Sequence, residues 1–100
     1  MSYKVDSSQV GKLTQDDSGL MPDFRRYPPT RAPYMREPYV RATFDGRAVD
    51  AKAIGWTRIH VHLKWQDDDY RMHTRWVLAT QVKRITREES SWQDPYDERD

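Results

Sequence analysis

Three histidines and a run of cations are the residues whose types and spacing suggest chemistry. His60 and His62 stand two apart in Arg58-Ile59-His60-Val61-His62-Leu63-Lys64-Trp65, and His73 follows in Tyr70-Arg71-Met72-His73-Thr74-Arg75-Trp76. Two imidazoles on one strand face, joined by a third from the neighbouring strand, would make a donor set for zinc. The same face carries Arg58, Lys64, Arg71 and Arg75. These would repel a metal ion, so no metal is expected. The histidines read instead as part of a cationic surface that gains charge as they protonate.

Nucleophilic catalysis has little to work with. No Ser or Cys occurs between residues 38 and 87. Thr43, Thr57, Thr74, Thr80 and Thr86 sit in no nucleophile context, and the chain's 4 glycines form no phosphate-cradling loop. Asp67-Asp68-Asp69 reads as a turn whose carboxylates cap their own backbone. The expectation is a non-enzymatic protein without a cofactor.

What the cations suit is an anionic partner. Arg58, His60, His62 and Lys64 alternate with Ile59, Val61, Leu63 and Trp65, and Arg71 and Arg75 alternate in the next segment. One strand face would bury and the other would present charge to the phosphates of DNA or RNA, with aromatic rings nearby for bases. A second candidate surface is the C-terminal stretch. There Trp92 and Tyr96 lie among Glu88, Glu89, Asp94, Asp97, Glu98 and Asp100. Such a segment could fold back on the basic domain and compete with an anionic ligand. It could equally dock on a partner protein as an acidic aromatic peptide; docking through this peptide or through the barrel's own aromatics would make the chain an interaction adaptor on a larger assembly.

The elements that must position these groups are strands. Tyr39 to Phe44 alternates, Asp45-Gly46 is a type I′ hairpin signal, and Arg47 to Ile54 returns with Val49, Ala51 and Ala53 on one face. Gly55 marks a bend or bulge before the Arg58–Trp65 strand. Tyr70 to Val77 follows, ending in large apolar residues on both faces, which predicts a switch of facing near Trp76. Leu78 to Gln81 reads as a single turn and Val82 to Ile85 as a short last strand. Five short antiparallel strands in about fifty residues predict a small all-β barrel, closed so that no edge is exposed.

The segment Arg75-Trp76-Val77-Leu78-Ala79-Thr80-Gln81-Val82-Lys83-Arg84-Ile85 resembles the end of a Src-homology-3-like barrel. Those domains close with an aromatic and an aliphatic residue, a one-turn 3₁₀ element and a last short strand. Tudor and other small bacterial barrels share the fold. The resemblance covers residues 38–87 and implies a five-stranded antiparallel barrel. Leu78 and Gln81 stand where the peptide-binding members carry the Pro and Tyr of their groove, and a two-residue turn replaces their long first loop. Recognition of proline-rich peptides is therefore not expected. A cage for a methylated cation would draw on Tyr39, Trp56 and Tyr70.

Composition divides the 100 residues into three. Residues 1–37 read as a disordered arm, polar at first and then interleaving Pro22, Pro28, Pro29 and Pro33 with Phe24, Tyr27, Tyr34 and arginines. Residues 38–87 read as the barrel and carry net +5; residues 88–100 read as an acidic disordered tail of net −5. The absence of cysteine, of a signal-like apolar start and of any run long enough to span a membrane predicts a cytoplasmic protein.

Overall fold

Asp45 and Gly46 both take positive φ, 52° and 75°, as a type I′ turn demands. They join β2 (Tyr39–Phe44) to β3 (Arg47–Trp56) in one uninterrupted register, from Phe44 opposite Arg47 to Tyr39 opposite Lys52. This hairpin is the base of a computed structural model that describes residues 20–98. The other strands are β1 (Thr30–Arg31), β4 (His60–Gln66), β5 (Met72–Leu78) and β6 (Val82–Arg84). Single 3₁₀ turns cover Ala79–Gln81 and Arg87–Glu89.

All pairings are antiparallel, and the order across the sheet is β5-β4-β3-β2-β6. The ten-residue β3 serves two neighbours along one edge. Its first part pairs with β2, and Gly55 and Trp56 pair with Arg31 and Thr30 of β1. The sheet is therefore six-stranded rather than five-stranded. Its end strands β5 and β6 do not pair with each other, so it does not close as the sequence reading required. The sixth strand comes from the arm. A side chain at Gly55 would place its Cβ 3.1 Å from the Thr30 carbonyl oxygen, so glycine is what admits β1 to the edge.

The core gathers on one face. Val40, Ala42 and Phe44 of β2 meet Val49, Ala51 and Ala53 of β3, Leu63 and Trp65 of β4, and Val77 of β5. The register shifts between Ala53 and Gly55, so Trp56 reaches the same side as Ala53. That is the work of a β-bulge.

No switch of facing occurs near Trp76. The β4–β5 register runs unbroken from His60 opposite Leu78 to Gln66 opposite Met72. Val77 enters the core, and Trp76 lies on the outer face. A large apolar residue is stable there because this face is itself covered. Phe24 packs on Trp76 with ring centroids 5.3 Å apart, and Tyr27 meets His60 edge-on at 5.2 Å.

The segments read as disordered are thus part of the fold wherever they are described. Residues 20–37 lie along the sheet with Ala32 buried, and its amide donates to the Ile54 carbonyl at 3.0 Å. Residues 88–98 return across the outer face, burying Ser90 and Asp94 and half-burying Trp92. Residues 1–19 of the expected arm and 99–100 of the expected tail lie outside the described residues. No helix among the described residues is long and apolar enough to cross a membrane.

Candidate functional site

Alternation on β4 puts His60, His62 and Lys64 on the outer face, but strand pairing gives Arg75 the other one. Arg75 stands opposite Leu63. It is buried, with its guanidinium 4.2 Å from the Phe44 ring centroid and Nη1 2.9 Å from Asp45 Oδ2. Arg71 lies in the loop before β5, exposed, with its amide donating to Asp67 Oδ1 at 3.0 Å. The expected patch of Arg58, His60, His62, Lys64, Arg71 and Arg75 is therefore not one surface. The physical reason is parity: β4 and β5 pair with His62 opposite Trp76, which sends the odd-numbered residues of β5 inward.

The three imidazoles part in the same way. His73 stacks on Trp65 at 5.1 Å on the core side, and its Nε2 lies 2.8 Å from Asp67 Oδ2. That contact, with backbone N–H groups from Arg71 and Asp69, holds the Asp67 carboxyl down at about 2. His60 is buried. Its Nδ1 lies 2.7 Å from Thr57 Oγ1, which already accepts the amides of Ile59 and His60. The one hydroxyl thus ties two backbone amides and the imidazole together and fixes the ring's orientation. His62 stacks on Trp76 with centroids 4.4 Å apart and planes only 3° from parallel. Burial, aided by the nearby Arg31 charge, pushes its pKa down to about 4. Neither His60 nor His62 faces open solvent as the alternation suggested.

The outer face nevertheless carries free positive charge, supplied by the arm. Arg25, Arg26, Arg31 and Arg58 are exposed, and none has a carboxylate partner among the described residues. The guanidinium of Arg58 lies 5.0 Å from the Tyr27 centroid and that of Arg26 5.7 Å. Beside them a cleft of about 330 Å³ opens between arm and sheet, lined by Pro29, Thr30, Arg31, Gly55, His62 and Trp76 among others. The aromatic chain Tyr27–His60–Trp76–His62 runs beneath this rim. Sequence reading took the arm for disordered chain because proline density blocks regular structure. The signal it offered was the pairing of Phe24 and Tyr27 with arginines.

The acidic tail is engaged elsewhere. Lys52 is 1% exposed and its Nζ meets Glu37 Oε1 at 2.6 Å, Asp94 Oδ2 at 3.0 Å, and Asp97 Oδ1. Lys52 donates hydrogen bonds to Asp94 and Asp97, while Glu37 is held close as an ion pair. Tyr39 donates its hydroxyl proton to Asp97 Oδ2, which also takes Arg87 Nε at 2.8 Å. The Asp94 amide donates to the same hydroxyl at 2.8 Å. Burial alone would raise the Asp97 pKa, but hydrogen bonds from Lys52, Tyr39 and Arg87 outweigh it and hold the carboxyl below its ordinary value. Trp92 packs 6.4 Å from Tyr39 and its Nε1 donates to Gln66 Oε1 at 3.3 Å. Only Tyr96, 75% exposed, stands clear. Tyr39, Trp56 and Tyr70 form no cage, since Tyr39 is buried under this network and Tyr70 is exposed. No family model, curated protein or solved structure matches the chain.

Proposed function

We propose that the chain is a non-enzymatic nucleic-acid-binding module with a Src-homology-3-like barrel topology. What supports the topology is the order of the strands, the long third strand shared between two neighbours, and the 3₁₀ turn between β5 and β6. The function rests on one observation. Arg26 and Arg58 over Tyr27 and Arg31 at the cleft, with Arg25 next to Arg26 in the chain, are exposed arginines without acidic partners among the described residues, while Asp94 and Asp97 of the tail are taken up by Lys52 and Arg87. Guanidinium groups bind phosphate through paired N–H donors, and flanking rings suit the flat faces of bases. Asp23, whose side chain caps the Arg25 amide, is the acid closest in sequence to the rim.

The test is an oligonucleotide titration by fluorescence anisotropy at several salt concentrations. Each phosphate neutralised contributes a slope of about −0.7 in log K against log salt for a single strand. A slope near −3 is expected for four arginines, and replacing Arg25, Arg26, Arg31 and Arg58 with Gln should abolish most of it. Affinity indifferent to salt, or unchanged in the fourfold variant, refutes the reading. The adaptor alternative loses its free peptide, because Trp92 to Asp97 is bound to the chain's own sheet.

A further inference from the structure

The cleft between arm and sheet holds two groups that the fold leaves unused. Neither ring nitrogen of His62 has a hydrogen-bond partner among the described residues, although the ring is half-buried beside the cleft. Arg31, exposed at the cleft's wall, has no carboxylate partner among them either. The His62 nitrogens are not among the buried polar atoms left without a partner, so they stay open to the solvent of the cleft and to whatever enters it. An imidazole and a guanidinium facing one opening, next to an indole, combine a hydrogen-bonding edge, an anion site and an apolar wall.

We infer that this cleft receives one unstacked base of a single-stranded nucleic acid, with His62 bonding the base edge and Arg31 the adjoining phosphate. The inference rests on the nucleic-acid reading above and narrows it to single strands, since a base paired in a duplex cannot leave the stack without cost. The imidazole is suited to the task. Held neutral at pH 7, with its pKa pushed down to about 4 chiefly by burial, it keeps both a donor and an acceptor to offer. The other wall is Trp76, whose ring is fixed by His62 on one side and by Phe24 at 5.3 Å. Gly55 keeps the floor open, since a side chain there would meet β1.

Full-length protein is titrated with three probes of equal length: a single-stranded oligothymidylate, a fully abasic strand with the same phosphates, and a duplex. With both neighbours of Trp76 in place, the base gains an edge hydrogen bond and an apolar wall rather than a full stack, and one net hydrogen bond alone is worth about two- to tenfold. The oligothymidylate is therefore expected to bind at least about twofold tighter than the abasic strand. Equal affinity for the two strands overturns the base site while leaving the phosphate reading intact. Tighter binding of the duplex overturns it as well. Failure of every probe at low salt removes both readings together. The variant His62→Phe preserves ring, stacking and burial, and its fold is verified by circular dichroism. It should lose about two- to tenfold on oligothymidylate, the range of one net hydrogen bond, and nothing on the abasic strand. Losses equal on both strands, or none on either, would exclude His62 from the site.

Discussion

Lys52 lies between Ala51 and Ala53, and its long stem would let the amine reach water from an uncovered sheet face. The tail removes that option by bringing Asp94 and Asp97 over it, with Glu37 arriving from the arm. Replacing Lys52 with Met would leave three carboxylates crowded over an apolar residue. Breaking a buried ion pair from one side costs about 3–5 kcal/mol. We expect a fall of that order in unfolding free energy, measured by urea titration at neutral pH; a loss below ~1 kcal/mol would show the network to be dispensable.

The same network sets a pH profile. Burial lowers the Lys52 pKa, but its three carboxylates raise it overall, while Asp97 is lowered. The Asp97 contribution is fully present above the ordinary carboxyl value of about 4 and disappears as pH falls through its depressed value. The Lys52 contribution is fully present below about 10.4 and disappears as pH rises through its elevated value. Unfolding free energy should thus have a plateau between these limits. In Lys52→Met the acid limb should change sign, because protonating crowded carboxylates then relieves repulsion. An acid limb identical in both proteins would contradict the assignment.

At the scale of elements, the decisive contact is between β1 and the end of β3. Gly55→Val puts the first carbon of a branched side chain 3.1 Å from the Thr30 carbonyl oxygen, tight enough that β1 must give way. Overpacking of this kind costs about 1–3 kcal/mol. The cheapest relaxation is to lift β1, which takes the arm with it. Limited trypsin digestion should then cleave faster after Arg25, Arg26 and Arg31 than in the parent chain. A cleavage rate that does not change would mean the arm is held independently of β1. Residues 38–87 read well from sequence at this scale: the hairpin, the bulge and the 3₁₀ turn each follow from side-chain alternation or local turn chemistry.

For the whole molecule, the tail is packed into the folding unit through Trp92 on Tyr39 and Asp94 and Asp97 on Lys52. A chain ending at Glu89 would lose Trp92, Asp94 and Asp97, exposing Tyr39 and leaving Lys52 with Glu37 alone. Losing the Trp92 packing together with two of the three carboxylates on Lys52, the truncated chain is expected to lose its cooperative thermal transition. If the tail were merely a competitor, truncation would leave the transition intact and strengthen oligonucleotide binding. Calorimetry and one titration separate the two.

Sequence alone determined the all-β class, the inward set Val40, Ala42, Phe44, Val49, Ala51, Ala53, Leu63 and Trp65, and the separation of positive from negative charge along the chain. These follow from nearest-neighbour physics: period-two alternation, turn residues and composition act over a few positions. Tertiary structure decided which charges are free. Pairing parity sent Arg75 inward and His62 against Trp76, and the covering segments buried His60 and captured Lys52. Those outcomes depend on groups tens of residues apart meeting across a sheet, and no local pattern in Arg58–Trp65 encodes what will lie on top of it. The stretch that looked like a cationic face is instead the floor of one, and the exposed arginines above it belong mostly to the arm.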